Sequence, residues 1–233
     1  VMRQSLSVGG GRAERQRQDQ MEKLLLDCTL RDGGYVNDWN FGRDNIVNIF
    51  ERLVSAGTDI IEVGFLDERR SFDPDRSIMP DTQSADRIYG GLDKGGSMTV
   101  AMIDYGTCSL EHIRPASECS LDGIRVIFKK HIMEEAFAYC EKIKALGYKV
   151  FAQAVSITSY TPEELLHFID LANRVKPYAV SMVDTYGLLH QEDLVKVTKV
   201  MDEHLDGEIS LGYHAHNNFQ MGYANAIAFL KSG

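Results

Sequence analysis

The stretch KLLLDCTLRDGGYVND, Lys23 to Asp38, sets an apolar run directly before a charged pair and two glycines. The run Leu24, Leu25, Leu26 reads as a buried strand, because a strand covered on both faces shows no polar alternation. Gly33 and Gly34 are a turn signal, since glycine accepts positive φ without a Cβ clash. Arg31 and Asp32 thus stand where a strand ends. A charged pair there belongs either to a plain loop or to an active site, and the rest of the chain decides between them.

The same order recurs. Apolar runs follow at 59–65 (DIIEVGF), 98–104 (MTVAMID), 123–128 (GIRVIF), 148–155 (YKVFAQAV), 178–184 (YAVSMVD) and 208–216 (EISLGYHAH). Amphipathic stretches separate them. Residues 44–57 place Ile46, Ile49, Phe50, Leu53 and Val54 on one face and stop at Gly57. Residues 161–175 open with Thr161, Pro162 and Glu164, the spacing of a capping box. Helical patterns also span 134–147, 190–205 and 219–230, with a shorter one at 84–89.

Alternating βα units of this kind build a (β/α)8 barrel or a doubly wound sheet. No GxGxxG or GxxxxGK[ST] follows a strand, which disfavours a nucleotide-binding open sheet. The polar residues gather instead at strand C-terminal ends: Arg31 and Asp32, Glu62, Asp104, Lys129 and Lys130, Asp184 and Thr185, His214 and His216. A barrel brings those ends to one face. The predicted fold is therefore α/β, a TIM (β/α)8-type barrel.

Residues 1–20 are polar, glycine-bearing and without apolar period, and are expected to form a flexible N-terminal extension; residues 21–233 form the barrel domain. The seventh helical pattern ends near Leu230 and the chain at Gly233, so the barrel is expected to be truncated after its seventh βα unit. Without strand 8 two sheet edges would stay unpaired, and a longer polypeptide is expected.

A hydrophobic content of 44% supports a real core, and 25% charged residues is an ordinary globular value. A net charge of −9 argues against a nucleic-acid partner. Cys28, Cys108, Cys119 and Cys140 show neither CxxC nor metal-ligand spacing, so they read as reduced thiols of a cytoplasmic protein. No apolar run has the length of a membrane span, and no membrane partner is expected.

YHAHNN, 213–218, carries the most specific chemistry. In an extended segment residues i and i+2 face the same way, so His214 and His216 aim together. Odd-numbered barrel strands feed one interior layer, and strands 1 and 7 lie roughly 10 Å apart, so Asp32 can meet both histidines at one ion. One carboxylate and two imidazoles leave octahedral positions open. Mn2+ suits that set first, with Mg2+, Co2+ or Zn2+ as alternatives, and a closed structural zinc site would use cysteines.

TLRDG after the first strand and HAHNNFQMGYANAIAFLKSG from the seventh onward resemble the DRE-TIM metallolyase superfamily, also called HMGL-like. The resemblance runs from Leu24 to the end and is nearest to the 4-hydroxy-2-oxovalerate aldolases. It implies Asp32, His214 and His216 as metal ligands, Arg31 facing the substrate oxygen, and Thr185 of DTYG (184–187) binding a substrate carboxylate. It also implies an enzyme, a lyase cleaving or forming a 4-hydroxy-2-oxo acid through the pyruvate enolate, with the metal as Lewis acid. Glu62 reads either as a buried ion pair to Arg31 or as the residue that aims its guanidinium, and the two are compatible.

Two departures matter. Acyl-CoA-condensing members read RDGEQ where this chain reads RDGGY, which sets the acyl-CoA lyase or synthase reading second. The aldolases carry a histidine three residues after the metal aspartate, and here Tyr35 stands there as a catalytic candidate able to hold and deliver a proton. A non-catalytic metal- or metabolite-binding barrel is a third reading. Lys129 and Lys130 raise a Schiff-base mechanism, against which a solvated loop is the plainer reading. The expected partners are a small 2-oxo acid, a homo-oligomer and, through a region beyond residue 233, a partner dehydrogenase.

Overall fold

The computed structural model describes residues 1–4 and 22–232. Its strands are β1 (Met2–Gln4), β2 (Glu22–Leu24), β3 (Leu26–Asp27), β4 (Ile60–Leu66), β5 (Ile78–Met79), β6 (Met98–Asp104), β7 (Gly123–Phe128), β8 (Lys149–Ala154), β9 (Ala179–Asp184) and β10 (Ser210–Ala215). The α-helices are α1 (Thr29–Asp32), α2 (Arg43–Ser55), α3 (Thr82–Tyr89), α4 (Met133–Ala145), α5 (Pro162–Val175), α6 (Gln191–His204) and α7 (Gly222–Lys231). Two compact units result: a first of Leu25–Ile127 with Tyr139–Val150, and a second of Val1–Leu24, Phe128–Ala138 and Phe151–Gly233.

In the first unit β3, β4, β6 and β7 pair in parallel. β4, IIEVGFL, is buried at every position, as a parallel strand covered on both faces must be. β6 and β7 match the expected runs residue for residue. α2 turns Ile46 and Phe50 into the core and stops before Gly57, whose φ of 75° only glycine adopts at little cost.

One irregularity bears on the site. The β4–β6 register shifts between Glu62 and Phe65, and Gly64 lies inside the shift with φ 147°. A Cβ on Gly64 would come 1.8 Å from Ser77 O. That close approach lets the Ser77 hydroxyl donate to Leu30 O at 2.6 Å and its N–H to Trp39 O at 3.0 Å. The segment behind β4 thus ties down the turn that follows β3.

The leucine run is not one strand. β2 and β3 divide it at Leu25, which is 55% exposed. Leu25 N–H donates to Asp59 Oδ2 at 2.8 Å, and its carbonyl accepts from Ile60 N–H at 3.1 Å. Hydropathy alone cannot register that break.

In the second unit β8, β9 and β10 pair in parallel, and β1 runs antiparallel between β10 and β2. Met2–Gln4, expected in a flexible extension, are therefore ladder residues, and the β10 edge expected to stay unpaired is occupied. The physical reason is burial. Met2 enters the core, and Arg3 is buried with its guanidinium 4.4 Å from the Phe229 ring centre and 2.9 Å from Asp202 Oδ1. The rest of that extension, residues 5–20, lies outside the described residues. α5 carries the expected capping box, Thr161 and Glu164 each accepting the other's backbone N–H, with Pro162 in the first turn. Phe128, Phe137 and Phe168 pack ring against ring. All four cysteines are free, and among the described residues no helix is long and apolar enough to cross a membrane.

Candidate functional site

In the first unit the residues after β3 coil at once into α1. Asp32 N–H and Arg31 N–H both donate to Cys28 O, at 2.7 and 3.1 Å, and the Asp27 carboxylate accepts from Thr29 N–H and its hydroxyl. This turn carries Arg31 inward, to 5% exposure, and leaves Asp32 partly open. Arg31 Nε donates to Glu62 Oε2 at 2.7 Å and Nη1 to Asp32 Oδ1 at 2.5 Å. Glu62 is fully buried, and its other oxygen, Oε1, lies 2.5 Å from Nη1 of Arg125, itself 2% exposed.

Arg125, Glu62, Arg31 and Asp32 therefore alternate in sign along one line and sum to zero. Only such alternation makes four buried or half-buried charges tolerable, since each bare ion would cost several kcal/mol. Burial works against the Arg31 charge, yet Glu62 and Asp32 together push its pKa above the ordinary guanidinium value. Burial first, then the Glu62 charge, pushes the Cys28 thiol up to about 11, with Arg31 and Arg125 opposing. That thiol stays protonated at neutral pH, which fits packing rather than nucleophilic work.

The two glycines of RDGG do not supply positive φ, as the sequence led one to expect. They lie in a 3-10 turn, Gly33–Val36, and the left-handed residues are Asp38 (φ 52°) and Trp39 (φ 57°). Gly34 is instead a floor: a Cβ there would meet Trp39 Cδ1 at 2.0 Å. Over that floor the indole Nε1–H donates to Arg31 O at 2.7 Å. Asp38 accepts from Arg76 at 2.5 Å and Arg70 at 3.3 Å, which holds the strained pair in place.

Tyr35 is 61% exposed, its ring set edge-on to Trp39 (centres 5.0 Å apart) and Phe65 (6.2 Å). Partial burial raises its pKa, Arg31 opposes, and Asp32, Asp104 and Glu62 add to the rise. The hydroxyl is held protonated, which suits a donor better than a base.

In the second unit the strand ends are held by the main chain. Asp184 is buried, and its carboxylate accepts from Leu188 N–H at 3.0 Å and Leu189 N–H at 3.1 Å. Its carbonyl lies 2.9 Å from His216 Nδ1. A carbonyl only accepts, so in the neutral ring Nδ1 holds the proton and Nε2 the lone pair. The His214 and His216 ring centres are 4.9 Å apart, as an i, i+2 pair should be. Gly187 permits the turn: its φ is 63°, and a Cβ would come 2.6 Å from Asn218 N. Thr185 Oγ1 accepts from Ser156 N–H at 2.8 Å, so its own proton points elsewhere.

The first unit thus gathers Arg31, Asp32 and Glu62, and the second sets His214 beside His216 with Thr185 fixed by Ser156. Lys130 reaches Glu164 and Ser159 O, each at 2.7 Å, and Lys129 is exposed, the solvated loop rather than a Schiff-base site. Sequence reasoning missed Trp39 and Arg125. Arg125 had a signal, a lone charge inside the apolar run GIRVIF.

The family profile described as HMGL-like matches residues 23–233. A 4-hydroxy-2-oxovalerate aldolase of Geobacillus genomosp. 3 is 22% identical over 216 residues, which cover 90% of this chain and 61% of that protein. An oxaloacetate decarboxylase of Mycobacterium tuberculosis is 25% identical over 215 residues, covering 91% and 62%. The chain spans about three fifths of the length of these relatives. The crystal structure of hydroxymethylglutaryl-CoA lyase from Pseudomonas aeruginosa superposes with a TM-score of 0.70 at 17% identity, over 90% of this chain and 72% of that one. That likeness shows the TIM-barrel-type fold expected from the βα alternation.

Proposed function

Because this chain belongs to the HMGL-like family, we propose that it is a divalent-metal-dependent carbon–carbon lyase of the aldolase type. Its reaction is the cleavage of a 4-hydroxy-2-oxo acid to pyruvate and an aldehyde, or the reverse. The observation that carries this reading is the Arg31 guanidinium, buried on the TLRDG turn and gripped by Glu62 and Asp32. A guanidinium so fixed is a ready charge for an oxygen that turns anionic. The names of the aldolase and decarboxylase relatives, both carbon–carbon lyases of 2-oxo acids, support the same class.

The donor set fits a metal of the Mn2+ type. Asp32 offers carboxylate oxygens beside Arg31, whose Nη1 donates to Oδ1 at 2.5 Å, and His216 offers Nε2 because Asp184 O takes Nδ1. We assign Asp32, His214 and His216 as the ligands; a bound cation would supply Lewis acidity toward the 2-oxo group. Arg31 donates to the C2 oxygen as negative charge gathers there during C3–C4 cleavage. Burial makes that hydrogen bond worth more than it would be in water. Thr185, its oxygen occupied by Ser156 N–H, turns its hydroxyl proton to the substrate carboxylate. As the C3–C4 bond breaks, the C4 hydroxyl proton passes to water and the bond's electron pair to the enolate. Tyr35, protonated at neutral pH, then delivers a proton to C3 and regains one from water. The reading extends to a homo-oligomer and a partner dehydrogenase, which sedimentation and aldehyde channelling would test.

Pyruvate release coupled to lactate dehydrogenase, across a panel of 4-hydroxy-2-oxo acids with Mn2+, tests the proposal. NADH oxidation that EDTA abolishes is expected. Thiol release from an acyl-CoA without pyruvate would replace it with the acyl-CoA lyase reading. Bound metal with neither product would leave a binding protein.

A further inference from the structure

We propose that Arg125 is a positioning residue for this site, one that fixes the direction of the Arg31 guanidinium by holding Glu62; its catalytic readout rests on the lyase reading above. Arg125 is the sole charged side chain of β7, GIRVIF. It is 2% exposed. A buried guanidinium is expensive to desolvate, so its place calls for a partner that pins it. That partner is Glu62, with Oε1 2.5 Å from Arg125 Nη1 and Oε2 accepting Arg31 Nε–H at 2.7 Å.

The division of the two oxygens is the point. A carboxylate facing a single arginine settles into the parallel two-bond fork, taking Nε and one Nη together. Here Arg125 occupies Oε1, so Arg31 meets Oε2 through Nε alone and turns Nη1 to Asp32 at 2.5 Å. With Arg125 gone, Glu62 is free to rotate, to take the fork from Arg31, and to draw Nη1 away from Asp32. Glu62 would still neutralise one charge, so the loss is of direction rather than of charge balance alone.

The experiment uses the full chain, with Arg125→Met, Arg125→Gln and Arg125→Lys. Two readouts are taken: steady-state kinetics, and the Nε–H resonance of Arg31 in 15N-arginine-labelled protein, assigned by its loss in Arg31→Lys. In the parent the Arg31 signal is expected to be sharp and slow to exchange, because Nε–H is buried against Glu62. Arg125→Met and Arg125→Gln should shift that signal and speed its exchange. They should also lower kcat roughly 10- to 100-fold with KM changed less than about threefold, the size of effect usual for groups that orient a site from behind. Arg125→Lys, which keeps a cation on Oε1, should restore the signal and most of kcat.

Met and Gln variants that both fold, judged by circular dichroism, and leave the Arg31 signal and kcat per folded molecule unchanged would overturn the proposal. Should Met fail to fold, Gln decides alone by the same criteria. Absence of lyase activity in the parent would sink the functional reading but not this one, because the Arg31 signal is read without substrate.

Discussion

Residues at the strand ends are held by charge in the first unit and by main-chain groups in the second. Arg125, Glu62, Arg31 and Asp32 each neutralise a neighbour, side chain against side chain. His216 and Thr185 lean instead on Asp184 O and Ser156 N–H, and Asp184 on two consecutive amides. A charge chain fails as a unit, since removing one link strands a buried ion. Backbone anchors fail singly, at about 1 kcal/mol per hydrogen bond. The first arrangement fixes a permanent charge where chemistry needs one; the second aims neutral rings and hydroxyls.

The largest expected effect lies in the charge chain. Glu62→Gln leaves Arg31 and Arg125 buried without their shared carboxylate and should cost about 3–5 kcal/mol in urea unfolding. A cost below about 1 kcal/mol, the worth of one ordinary hydrogen bond, would show that the chain is not coupled in this way. Next comes the floor under Trp39. Gly34→Ala puts a Cβ 2.0 Å from Trp39 Cδ1 and should cost up to ~3 kcal/mol. Trp39 is the protein's single tryptophan, so its emission reports this turn alone and should shift to the red. On the main-chain side, Asp184→Asn keeps one acceptor for two amides and should cost ~1 kcal/mol, well under Glu62→Gln.

The smallest effect is a titration. With its thiol pushed up to about 11, Cys28 is protonated below that pH. Its alkylation by iodoacetamide should climb about tenfold per pH unit and level off only near pH 11. In Glu62→Gln the curve should move to lower pH, because the Glu62 charge helps raise that pKa. A plateau already at pH 9 in the parent would contradict the half-buried setting of Cys28 beside Glu62.

These contrasts explain what could be read from sequence. β6 and β7, the α5 cap and the paired histidines depend on near neighbours in the chain, so spacing revealed them. The RDGG turn was half legible: its Arg31 does meet Glu62, but Gly34 serves the Trp39 ring, a contact that needs the loop's fold to exist first. Arg125 meets Glu62 across 63 positions, which no local pattern encodes, and a buried charge in an apolar strand was the only hint. Met2–Gln4 likewise join β10 across more than 200 residues, so composition alone misread them.

Metal content decides the central claim. Protein purified with Mn2+ and freed of loose ions should hold about one divalent ion per chain by mass spectrometry. Asp32→Ala and His214→Ala should each lose it while keeping the parent's circular dichroism. Metal content unchanged in both variants would contradict the assignment of Asp32 and the histidine pair to one ion.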